Sequence, residues 1–140
     1  MSKRSSQRGG ATGRVILIVD ADPESRRILQ DLLTHHGHTT IATGSGDEAL
    51  AVARSIHPAL VVTELYVSSG EHACLVHALR ADARLRQVPV VVFTAFAMPA
   101  DREWAAAGQA DAYLTKPSAP RALLVEVERL VQWQPVARAH

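Results

Sequence analysis

The chain has 140 residues, 47% hydrophobic and 21% charged, which suits one soluble domain with a real core and is short for two. No apolar run approaches the ~20 residues that cross a bilayer, and the basic start MSKRSSQRGGATGR lacks the apolar stretch and cleavage site of a secretory signal. The net charge of +1 is uneven, because Lys3, Arg4, Arg8 and Arg14 stand without an acid in the first 14 residues and the remainder is −3.

Residues 1–13 therefore read as a disordered basic tail, 14–134 as one domain, and 135–140 as a short carboxyl-terminal tail. The first element is Val15-Ile-Leu-Ile-Val19, an unbroken apolar strand stopped by Asp20. A helix follows over 23–36, with Ile28, Leu29, Leu32 and Leu33 inward, Pro23 in its first turn and Gly37 as its stop. Residues 39–43 are shorter and more polar, as an edge strand should be. A helix over 47–56 turns Leu50, Ala53 and Ile56 inward, and a strand over 59–62 follows.

The second half repeats the alternation. A helix over 71–85 presents Leu75, Val76 and Leu79, and a strand covers 88–93. A short Ala-rich helix over 99–107 ends at Gly108, and a weaker strand covers 110–114. The last helix, 118–133, buries Leu123, Leu124, Val127, Leu130 and Val131, with Ser118 placed to cap it. Continuous β-branched runs indicate strands covered on both faces, so this α/β chain is expected to be a (βα)5 doubly wound fold with a five-stranded parallel sheet. The functional crevice of such a sheet lies at the carboxyl ends of its strands.

Polar residues collect at those ends. Asp20-Ala21-Asp22 follow the first strand, Glu64 the third, Thr94 the fourth and Lys116-Pro117 the fifth. Any one of them alone would simply end a strand at water, but their convergence on one sheet edge points to a site. Lysine is used twice in the chain, and Lys116 is the one outside the tail. A compact ammonium on a flexible stem suits a point charge in a pocket. The single cysteine, Cys74, has no partner for an internal disulfide and fits a reducing, cytoplasmic setting.

This ordered set resembles the receiver domain of two-component response regulators, across nearly the whole folded chain. VDADPESRRIL matches the first block of the family pattern, with Pro23 and Arg26 at the usual offsets; PALVVTEL, VPVVVFTA and ADAYLTKP match the blocks after it. The resemblance implies a flavodoxin-like receiver fold, with Thr94, Tyr113 and Lys116 in register as switch-type residues. It also implies two departures. Glu64 stands where the family carries its phosphoacceptor Asp, and Ala21 stands where it carries a direct Mg²⁺ ligand. Val67, Ser68 and His72 occupy the positions that usually shape the next loop, and Gly70 comes two residues early, so that loop should take its own path.

These departures suggest a pseudo-receiver. Mg²⁺ demands near-octahedral oxygen ligation at about 2.0–2.1 Å, so losing a carboxylate leaves no metal site, or a weak one through Asp20 and Glu64. Asp20, Asp22 and Glu64 then form an acidic pocket around Lys116, and Glu64 is expected to reach toward Lys116 as a fixed charge and partial phosphomimic. On this reading the chain has no catalytic residues and no required cofactor. It acts as a stand-alone module, since only 134–140 follow the last helix. Its partners would be a histidine kinase or a downstream effector, with a homodimer through the face of the fourth and fifth helices as one arrangement.

Rival readings are a working phosphorelay receiver phosphorylated at Glu64 and a small-ligand module of flavodoxin type. Against the ligand module, Asp22-Pro23 stands where a glycine-rich phosphate loop would begin. Nucleic acid and membrane partners find no basic stripe or apolar span to support them. His35, His36 and His38 read as surface histidines at a helix end, and Trp104 and Trp133 as packing residues near the fourth and fifth helices.

Overall fold

The computed structural model describes residues 15–132. Ten elements alternate along the chain: β1 (Val15–Val19), α1 (Pro23–His35), β2 (Thr39–Thr43), α2 (Gly46–Ile56), β3 (Leu60–Thr63), α3 (Leu75–Ala81), β4 (Val90–Thr94), α4 (Pro99–Ala107), β5 (Ala112–Thr115) and α5 (Pro120–Gln132). All five strands are parallel, in the order β2-β1-β3-β4-β5. The doubly wound (βα)5 architecture is therefore the one the strand runs announce. The expected tails, together with Trp133, lie outside the described residues.

The two faces of the sheet bury separate cores because successive strand residues point to opposite sides. Leu17, Val19, Val61, Val90 and Val92 pack under α2, α3 and α4 with Ala49, Ala53, Leu75, Val76 and Leu79. Ile16, Ile18, Leu60, Val62 and Val91 pack under α1 and α5 with Leu29, Leu33, Leu123, Val127 and Leu130. Strands covered on both faces have no use for alternation, which is why β1, β3 and β4 are unbroken apolar runs.

Four expectations need correction. Ile28 is exposed and takes no part in the inner face of α1, which Leu29 and Leu33 fill. Helix α3 spans only Leu75–Ala81, because the chain from Glu64 first folds into a long loop and Asp82 ends the helix. The cap position of α5 falls at Ala119, and the Ser118 hydroxyl instead donates back to the Thr115 carbonyl at 2.5 Å. Trp104 turns toward α3, away from α5: its indole N–H donates to Cys74 Sγ at 2.6 Å and its ring stacks on His77 at 4.2 Å. Of the three histidines near the end of α1, His36 pairs through Nδ1 with the Leu32 carbonyl, His35 meets the His36 ring edge to face, and His38 pairs with the distant Glu128 of α5.

The loop after β3 closes on itself and on α2. Ser69 and His72 exchange backbone hydrogen bonds at 2.9 Å around Gly70, whose φ of +58° suits glycine. Asp47, in the first turn of α2, accepts from the Gly70 amide at 2.8 Å. A Cβ on Gly46 would lie 2.0 Å from the Ser68 carbonyl oxygen, so only glycine lets the loop close on α2.

Candidate functional site

Chain order reverses between β1 and β3, so the residues leaving these strands flank the crevice of the sheet. Each is anchored by a ladder that runs one residue past the strand. The Asp20 amide donates to Thr43 O, the Glu64 amide to Val19 O, and the Lys116 amide to Thr94 O. Three charged side chains from three separate blocks of sequence thus start from rigid backbone.

They meet. Lys116 Nζ donates to Asp20 Oδ2 at 2.7 Å and to Glu64 Oε1 at 3.2 Å. The other oxygen of each carboxylate accepts a backbone amide: Asp22 N on Asp20 Oδ1 and Leu65 N on Glu64 Oε2, both at 2.9 Å. All four carboxylate oxygens therefore have partners within the chain. Side-chain exposure is 4% for Asp20, 18% for Glu64 and 20% for Lys116, so the cluster is shielded but not sealed. Burial alone would depress the Lys116 ammonium, yet Asp20 and then Glu64 outweigh it and raise its pKa overall.

Asp22 does not join this group, which corrects the expectation of a three-carboxylate pocket. It is the N-cap of α1, accepting from the Glu24 amide at 3.3 Å and the Ser25 hydroxyl at 3.0 Å. The Ser25 hydrogen bond leads the causes that lower its pKa. Arg26 comes closer to the site than any sequence argument proposed, with Nη1 donating to the Asp20 carbonyl at 2.7 Å.

Thr94 is fully buried, and its hydroxyl accepts the Phe96 amide at 3.2 Å. On the next strand the Tyr113 hydroxyl donates to the Phe96 carbonyl, and the Arg102 guanidinium lies 4.7 Å from the centre of its ring. Burial first, and the Asp101 charge second, push the Tyr113 phenol up. Sequence reasoning missed Tyr66, Phe96 and Asp101, which cluster beside this pair. The Tyr66 hydroxyl donates to Asp101 Oδ1 at 2.5 Å, and that bond pushes its pKa up to about 12. The two residues lie 35 positions apart, and the sheet order brings the loop after β3 against the first turn of α4.

A family model for the response regulator receiver domain matches residues 16–128. The chain belongs to that family. It is 36% identical over 107 residues to the polar-differentiation response regulator DivK of Brucella ovis, covering 76% of this chain and 87% of the relative. The signal receiver domain of a signal transduction histidine kinase from Syntrophus aciditrophicus superposes with a TM-score of 0.75 at 25% identity, covering 90% of this chain and 98% of the other. The receiver domain of the sensor histidine kinase PA1611 from Pseudomonas aeruginosa gives 0.75 at 23% identity over 85% and 98%; that structure holds a magnesium ion in its active-site cleft. The chain is a receiver domain of two-component signalling with the flavodoxin-like fold.

The donor set here fits such an ion poorly. Ala21 offers no side-chain ligand, and one oxygen of Asp20 and one of Glu64 already face the Lys116 cation while the other two accept amides. Among the described residues no group of three His, Cys, Asp or Glu side chains is arranged to hold a metal. No helix among them is long and apolar enough to cross a membrane.

Proposed function

We propose that this receiver works by protein–protein contact, without catalysis of its own and without efficient phosphorylation, with Glu64 as a fixed charge at the phosphoacceptor position. One observation carries the reading: the Lys116 ammonium sits between Asp20 and Glu64, and every oxygen of both carboxylates is engaged. Phosphoryl transfer to a carboxylate needs a free oxygen in line with the donor and a cation to neutralise charge. Here Glu64 is one methylene longer than aspartate, and a misplacement of ~1 Å costs on the order of 100-fold in rate.

A glutamate carries about one charge where a phosphoryl group adds up to ~2, so the mimicry is partial. The charge would act on the Thr94 and Tyr113 side of the sheet, where Tyr113 already holds the Phe96 carbonyl. The partners this implies are a histidine kinase or a downstream effector, and the face of α4 and α5 suits a second copy of the chain. The full chain, incubated with acetyl phosphate and Mg²⁺, should show no adduct by intact mass. A stoichiometric gain of about 80 Da that disappears in Glu64→Gln would overturn the reading and restore a working phosphorelay receiver.

A further inference from the structure

Tyr66 stands two residues beyond Glu64, yet its side chain belongs to α4. Its ring meets Phe96 edge to face, with centroids 5.0 Å apart, while its hydroxyl holds Asp101 Oδ1. Asp101 is the third residue of α4, and its other oxygen, Oδ2, accepts the Met98 amide at 3.1 Å. One carboxylate is thus shared between the loop leaving the pocket and the first turn of a helix. Tyr113 holds the same Phe96 from the opposite side through its carbonyl.

The links run without a gap. Lys116 binds Glu64 Oε1, Glu64 Oε2 accepts the Leu65 amide, and Leu65 is an anchored, buried neighbour of Tyr66. Removing the Glu64 carboxyl group, as in Glu64→Ala, removes the acceptor of the Leu65 amide. The backbone of Tyr66 is the next thing to shift, and with it the hydrogen bond that organises the start of α4. Tyr66 is 42% exposed and Phe96 50%, so packing holds each ring only in part and these bonds add to it.

We propose that Tyr66 is a positioning residue that couples the pocket to the amino end of α4 through Asp101, a second route beside Thr94 and Tyr113. The proposal rests on Glu64 acting as a fixed charge, and it adds the path by which that charge reaches a helix. Coupling of this kind must be reciprocal. A surface hydrogen bond with a purely local role would show no response at the pocket.

The test uses ¹⁵N-labelled full chain and three variants, Glu64→Ala, Tyr66→Phe and Asp101→Asn. Glu64→Ala should speed hydrogen exchange at the Met98 amide about tenfold, the loss of one bond to a charged group, and this effect should vanish in a Tyr66→Phe background. Conversely, Asp101→Asn should shift the Leu65 amide and the Lys116 ammonium resonance. Changes from Asp101→Asn confined to residues 98–102, or an undiminished Glu64→Ala effect without the phenol, would overturn the coupling. A phosphoryl adduct on Glu64 with the reciprocal shifts intact would overturn the fixed-charge reading and leave the coupling standing.

Discussion

The two edges of the sheet carry ion pairs of similar composition and opposite character. At the amino edge Arg80 donates to the carbonyls of Gln109, Arg86 and Val88 and to Asp111 Oδ2, while Asp111 also accepts the Val90 amide at 2.8 Å. The guanidinium fork is spread over four fixed acceptors in two segments of chain, the connections before β4 and β5. At the carboxyl edge Lys116 has two carboxylates for partners, and water reaches it more easily: 20% exposure against 9% for Arg80. The arginine ties loops to strands. The lysine balances charge in a crevice.

That contrast predicts different costs when each is broken. Arg80→Ala strands a nearly buried carboxylate and several carbonyls, and should cost about 3–5 kcal/mol in urea unfolding at neutral pH. Lys116→Ala should cost less, about 1–3 kcal/mol, because it breaks two hydrogen bonds, water can reach Glu64, and Asp20 keeps the Asp22 amide. Equal costs for the two substitutions would erase the distinction between the edges.

The smallest effect concerns the limits of the pH range. The raised pKa of Lys116 contributes stability that is complete below its unfolded value of 10.5 and is lost as pH rises through the higher folded value. Asp82, beside Arg54 at the amino edge, has the opposite sign. Its pKa is lowered, first by the Arg54 hydrogen bond, so its contribution is present above 3.8 and fades as pH falls through the folded value. Lys116→Met should therefore flatten the alkaline limb of a stability–pH curve and Arg54→Met the acid limb, each leaving the other limb in place.

Much of this was legible in the sequence because the signals were local. The runs VILIV and LVV are apolar enough to need cover on both faces, and each ends in a charged residue that backbone pairing delivers to the same edge. Asp20, Glu64 and Lys116 could be placed together on that basis alone. Asp22 could not be assigned, because a carboxylate two residues past a strand serves equally as a pocket wall or a helix cap. Ser25, three residues on, decides for the cap. The shortness of α3 was hidden because Glu71, His72 and Cys74 continue a helical spacing that the Gly70 turn and its tie to Asp47 override. Contacts between a helix and a distant loop, such as Asp101 with Tyr66 and Arg80 with Gln109, depend on strand order and have no local signature.

The indole of Trp104 has a consequence of another kind. It bridges α3 and α4 with a thiol on one side and an imidazole stacked on its ring, and burial keeps that thiol protonated by pushing its pKa up against the opposing pull of the indole N–H. Thiols and imidazoles both quench indole emission, so the light this residue gives back depends on how closely α4 lies against α3. With Trp133 replaced, one tryptophan remains in the chain, and it sits on the helix whose first turn Tyr66 holds. The molecule carries its own optical gauge of that helix.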